Sequence, residues 1–276
     1  MKKVIFILSV ALLSQLVVSC HKQQGTQLIT FSCSGDWQPS TKDLSANSYS
    51  MTDIWILDYV GSTLVQTIHQ SDNTAADFGS PSISLAYGTH TLYFVASRGT
   101  TPTLNTTNQT ITWAKPSDTF QKALTLTVSA STPTSQSVTL ERMVAKLRLV
   151  INDAIATGTT AFSVTPSTWY YGIDYTDGSP TAAATNQTIT VNCPSSNIGL
   201  SGQVVTVFTP SSSAQWNTNV TFAALNGTTT ISSVTLPNVP LQRNHPTEYS
   251  GNLFTSSDGF TLSLNDTWDD PFTGSW

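Results

Sequence analysis

Charge is what this chain of 276 residues has least of: Asp, Glu, Lys and Arg make up 10% of it, against roughly a quarter of an average soluble chain. The 11 Lys and Arg residues are scattered, so the clustered cations that hold a phosphate backbone are missing and nucleic acid is excluded as a partner. Glutamate occurs only as Glu141 and Glu248, and with Lys and Arg also scarce the strong helix formers are missing. Folds that need crossover helices between parallel strands are therefore disfavoured. No apolar run approaches the roughly 20 residues of a membrane-spanning helix. What fills the gap is hydroxyl and apolar surface: Ser and Thr number about 80 in a composition that is otherwise 39% hydrophobic and 9% aromatic, with seven Trp. Such a chain has apolar area enough to offset its ordering entropy, and its Thr, Val and aromatics favour strands. An all-β protein results, long enough for one large or two ordinary domains.

The N-terminus carries two lysines, Lys2 and Lys3, and then an apolar run from Val4 to Val18. This pattern reads as a signal peptide over residues 1–19. The junction Val17-Val18-Ser19-Cys20 places a small residue before a cysteine and resembles a bacterial lipobox, which makes Cys20 the lipid attachment site and the first mature residue. Several acyl chains anchor a protein firmly, since each buried methylene contributes about 0.8 kcal/mol and one chain holds only marginally. Removing the leader leaves nine basic residues against 16 acidic ones, a charge of −7. Residues 20–27 read as a polar tether, and Cys33 and Cys193, about 160 residues apart, are left as a pair that sequence neither joins nor separates.

Short apolar runs broken by turn residues recur from Leu28 onward. Ile54–Tyr59 is apolar on both faces, as a strand inside a sandwich must be. Gly61-Ser62 then turns the chain into Leu64–His69, and a second hairpin is expected from Ile83–Tyr87 through Gly88 to Thr91–Ala96. Thr100–Gln109 reads as loop. Ala123–Val128 closes this half, and Ser129–Ser137 reads as a linker, which puts the domains at 28–137 and 138–276. Val138–Ile151 opens the second half as one long alternating strand, with Ala145, Leu147, Leu149 and Ile151 facing the core and Arg142, Lys146 and Arg148 facing water. Further strands follow at Ala161–Val164, Thr188–Val191, Val204–Thr209, Val220–Leu225, Ile231–Leu236 and Phe260–Leu264, with hairpin signals at Asn226-Gly227 and Asp258-Gly259. Six or seven strands in each half describe two tandem antiparallel β-sandwiches.

Catalytic patterns are missing. A glycosidase needs two carboxylates flanking the bond, and Glu141, on a strand face, and Glu248, in a polar turn, make a poor pair. His21, His69, His90 and His245 have no paired spacing, and neither the cysteines nor Asp266, Asp269 and Asp270 have that of a metal site. There is no phosphate loop and no nucleophile elbow. The expectation is a protein without catalytic residues, metal or cofactor. Trp37, Trp113, Trp169, Trp216 and Trp268 lie in or beside polar segments, where they either plug sandwich ends or stack on sugars.

Five stretches, in this order and spacing, resemble the fimbrillin-associated anchor and minor-subunit lipoproteins of Bacteroidales-type fimbriae. They are the lipobox at Cys20, Met51–Asp58, Tyr87–Ser97, Leu140–Leu147 and Leu241–Phe254. The resemblance implies two transthyretin-like, Greek-key sandwiches and a lipid-anchored subunit at the outer membrane. Such a subunit would sit at an end of a cell-surface fimbrium and join shaft or adaptor subunits by β-strand addition. The family's shaft subunits are cut after an arginine ahead of the fold. Here the first arginine is Arg98, inside the first sandwich, which implies that the N-terminal segment and its lipid stay attached. The alternative reading is a lipid-anchored glycan-binding sandwich that uses exposed Trp.

Overall fold

The computed structural model describes residues 25–35, 51–255 and 260–263. The leader, Cys20, His21, Trp37, Asp258-Gly259, the three aspartates from Asp266 to Asp270 and Trp268 lie outside the described residues. Secondary structure among those described is almost all strand, in five sheets.

In the first half, β1 (Thr26–Ser34) is the middle strand of three, antiparallel to β4 (Ser82–Ala86) and parallel to β9 (Ser135–Thr139). Facing it is an antiparallel sheet in the order β10 (Glu141–Arg142), β8 (Thr119–Val128), β5 (Gly88–Ser97), β2 (Asp53–Val60), β3 (Thr63–Gln70). Alternation along the strands fills the space between with Ile29, Phe31, Ile54, Ile56, Leu92 and Phe94, all buried. The other face of β2 carries Trp55, Leu57 and Tyr59, which are also buried, and this is why the strand is apolar on both faces from Ile54 to Leu57.

The second half repeats the plan. Its first strand, β11 (Val144–Ile151), lies between an antiparallel partner, β16 (Gln203–Pro210), and a parallel one, β19 (Pro246–Gly251), and β20 (Phe260–Ser263) continues the sheet beyond β19. The opposing sheet runs β15 (Ile189–Asn192), β12 (Ala161–Pro166), β17 (Trp216–Asn226), β18 (Thr229–Leu241). Leu147 and Leu149 point into its core beside Phe162 and Phe222, as the alternation predicts. Asn226-Gly227 closes the β17–β18 hairpin, with Gly227 at φ 61° in the left-handed region.

A fifth sheet belongs to both halves. Its order is β14 (Pro180–Ala184), β13 (Trp169–Asp174), β7 (Thr110–Thr112), β6 (Thr103–Asn105), so a hairpin of the first half continues a hairpin of the second.

Four expectations change. Residues 129–137 are not wholly linker, because β9 starts at Ser135 and extends the sheet of β1; the chain crosses to the second sandwich only after Arg142. Val138–Ile151 is correspondingly three strands in three sheets rather than one. β4 and β5 do not form a hairpin: they lie in opposing sheets, and Gly88, at φ 144°, stands where the chain passes between them. Thr100–Gln109, expected as loop, contains β6.

Candidate functional site

The functional geometry lies at two places, the seat of β1 and the junction of the halves. β1 is built into its sandwich from both sides. Register pairs it with β4 from Thr26 to Thr30 and with β9 from Thr30 to Ser34, and Ile29 and Phe31 are fully buried beneath it. Phe31 meets Phe94 of the facing sheet edge to face at 5.1 Å. Cys33, near the end of the strand, packs partly against the same core, and burial pushes its thiol up to about 12. The His90 imidazole joins the two sheets beside this strand, with Nδ1 2.7 Å from Asp58 Oδ1 and Nε2–H donating to the Ala86 carbonyl at 2.9 Å. That bond fixes the corner between β4 and β5.

The junction has a core of its own, in which Trp55, Leu57 and Val95 of the first half pack with Ile173 and Tyr175 of the second. The Tyr59 and Tyr175 hydroxyls are 2.7 Å apart, and burial, followed by the hydrogen bond to Tyr59, raises the Tyr175 pKa above its ordinary value. Gln121 donates to the Tyr175 carbonyl at 2.9 Å. Beside this core Asp118 accepts two bonds from Arg142, at 2.7 and 3.2 Å, while Arg142 also donates to Asn244 Oδ1 at 3.1 Å. The Arg142 guanidinium sits 4.7 Å over the Phe120 ring. Arg142, expected in water, is therefore buried, because a carboxylate and an aromatic face from a neighbouring segment receive it. An open cleft of about 370 Å³ borders this group, lined by Glu141, Met143, Gln242 and Arg243 among others. Two of the stretches that carry the family resemblance, Leu140–Leu147 and Leu241–Phe254, thus meet at the junction.

The remaining candidates are placed apart. Glu141 is exposed and paired with Lys122. Glu248 lies not in a turn but in β19, where it pairs with Arg148 of β11. His69 stacks on Trp55 at 4.4 Å and pairs with Asp53 at 2.9 Å. No group of three His, Cys, Asp or Glu able to hold a metal occurs among the described residues. Cys33 and Cys193 are free thiols. Trp113 and Trp169 are buried, and Trp216 is half-buried with its Nε1–H donating to Ser211, so these three plug the fold rather than present a flat face to solvent. The junction core was missed at the level of sequence because its strands β6 and β7 are three residues long, too short to display a period.

Several solved structures superpose on this chain at low identity. A candidate polysaccharide-binding protein from Bacteroides thetaiotaomicron superposes with a TM-score of 0.51 at 6% identity, over 87% of this chain and 99% of that one. The tip fimbrial protein Mfa3 from Porphyromonas gingivalis gives 0.45 at 11% identity, over 87% and 99%. A candidate adhesin from Bacteroides ovatus gives 0.47 at 11% identity, over 86% and 95%. No curated protein matches the sequence. The model of a family of unknown function, DUF6562, matches residues 87–275, and the chain belongs to that family.

Proposed function

We propose that this protein is a minor, terminal subunit of cell-surface fimbriae, an anchor or end adaptor without enzymatic activity. Lipid on Cys20 holds it to the outer membrane, and it joins a shaft or adaptor subunit by β-strand addition. The observation that carries the reading is the seat of β1. A subunit that accepts a strand in place of its own first strand must lose that strand, and here β1 is a middle strand with Ile29 and Phe31 at the centre of the core. No arginine precedes Arg98 to mark a cut ahead of it. With that place filled, addition has to use an outer edge. The repeated plan suggests which one: β20 covers the outer edge of β19 in the second half, whereas the matching edge of β9 has no partner strand among the described residues. The names of the similar structures, which include adhesion and a fimbrial tip, agree with a surface role; the reading rests on β1. A glycan-binding protein that uses exposed Trp finds less support, since Trp113 and Trp169 are buried.

The test is a photo-cross-linker placed at Ser137, an exposed residue of β9, in cells that make fimbriae. Capture of a fimbrial shaft or adaptor subunit is expected, and the purified protein alone should remain monomeric or a small oligomer. Detergent-resistant ladders of the purified protein would overturn the terminal role.

A further inference from the structure

The flank of the first sandwich that ends in β9 is left open. β1 stands over β5, where Phe31 meets Phe94, and β9 leads through Leu140 into β10, so β9 lies on the β8 side. Even-numbered residues turn their peptide groups to β1: the Thr134 carbonyl accepts the Thr30 N–H, and the Leu140 N–H donates to the Ser34 carbonyl. Alternation therefore turns those of Ser135, Ser137 and Thr139 outward, where no strand meets them among the described residues. Across from this edge, Leu124 and Leu126 of β8 pack against the sandwich core yet are only half-buried. The described part of the opposing sheet stops at β9, short of covering them. No charged side chain occurs from Ala123 to Leu140. β9 also lacks the lysine, proline or bulge that protects an ordinary edge, whereas β18, at the edge of the second sandwich, carries Pro237, Pro240 and two breaks in register.

We propose that β9 pairs with an uncharged strand of another protein, which turns two apolar side chains, at alternate positions, onto Leu124 and Leu126. The inference deepens the strand-addition reading above and rests on it for the donor, a fimbrial shaft or adaptor subunit. A row of outward peptide groups is matched by the backbone of an extended segment, whose own groups repeat at the same spacing. The Ser129–Thr134 crossing bounds the space at one end and Leu140 at the other, so the paired part is about the five residues of β9, or about 17 Å. Period two turns alternate side chains of the donor inward over that length. The uncharged floor offers a carboxylate or ammonium no partner, so a charge at an inward position would be withdrawn from water at a cost. Specificity then lies in the donor's alternation of apolar and hydroxyl residues.

Two labelled peptides, followed by fluorescence anisotropy with the full chain purified in detergent, test the assignment. One reads Gly-Ser-Thr-Val-Thr-Val-Thr-Ser, and the other has aspartate in place of both valines. Saturable binding of the valine peptide is expected, with the aspartate peptide weaker by about tenfold or more. Leu124→Ser combined with Leu126→Ser removes the apolar floor and should weaken the valine peptide by about tenfold. Ser137→Pro, which removes an outward N–H and none that β1 uses, should weaken it by at least as much. The comparison of peptides uses the unaltered protein and so stands whichever variant folds. Absence of saturable binding, equal binding of the two peptides, or an affinity unchanged in both variants overturns the site. A cross-link from Ser137 to a segment of the same chain, or to a second copy, shows the edge already filled and also overturns it. Peptide binding as expected, with no fimbrial subunit cross-linked in cells, would support the strand site and remove the terminal-subunit reading. A cross-linked fimbrial subunit without peptide binding would keep that reading and overturn the apolar floor.

Discussion

Removing the Arg148 guanidinium would take an opposite charge from the largely buried carboxylate of Glu248. The two residues are opposite in register on the parallel strands β11 and β19, with side chains 20% and 12% exposed. A cation on the outer face of an alternating strand is ordinarily worth within about 0.5 kcal/mol. Here the partner is mostly buried, so Arg148→Ala should cost about 1–3 kcal/mol, the scale of a lost charge-assisted hydrogen bond. Leu149→Ala, next along β11 and fully buried, should cost about 2–5 kcal/mol through lost burial and a cavity. Urea unfolding of the two variants gives both numbers. Pairing Arg148→Ala with Glu248→Ala should recover part of the first loss, since removing both charges avoids a largely buried carboxylate that has lost its opposite charge.

The turn that follows β19 and leads toward β20 is held by one carboxylate. Asp153 accepts the Leu253 N–H at 3.0 Å on Oδ1, and those of Phe254 at 2.7 Å and Thr255 at 2.8 Å on Oδ2. Burial alone would raise its pKa, but the backbone donors outweigh burial and hold it below the ordinary aspartate value. A depressed folded pKa means that the stabilisation is present above the unfolded value of about 4 and is lost as pH falls through the folded one. Asp153→Asn should therefore lower stability at pH 7 by about 1–2 kcal/mol, with the difference from the unaltered protein closing in acid; melting temperatures measured between these limits check both. Elements differ in how plainly the sequence displays them. β2 is apolar on both faces, β11 alternates cleanly, and Asn226-Gly227 marks the β17–β18 turn, so each is legible from its own residues. β13 pairs with β7 some 60 positions earlier, as in Gly172 with Thr112, and nothing local announces such a partner. The burial of Arg142 and Glu248 was hidden for the same reason: the groups that receive them come from elsewhere in the chain, Asp118 from the bend before β8 and Arg148 from β11.

At the scale of the whole molecule, the third core decides whether two sandwiches act as two bodies or one. Neighbouring domains usually meet across a polar surface, and relative motion is then the default. Here Trp55, Leu57 and Val95 pack against Ile173 and Tyr175, the fifth sheet runs across the boundary, and the Tyr59 and Tyr175 hydroxyls meet inside it. Separating the halves would expose this apolar surface and break a sheet, so opening should demand much of the free energy of unfolding. Ile173→Ala tests the coupling, because Ile173 is fully buried and belongs to the second half, yet it packs on the first. A loss of about 2–5 kcal/mol is expected. Native-state hydrogen exchange shows where that loss falls. If the halves unfold together, amides of β5 in the first sandwich and of β12 in the second should lose protection by the same amount. Weakening confined to β12 and its neighbours would mean that the first sandwich keeps its own stability, and that the junction is a contact between two bodies rather than the centre of one.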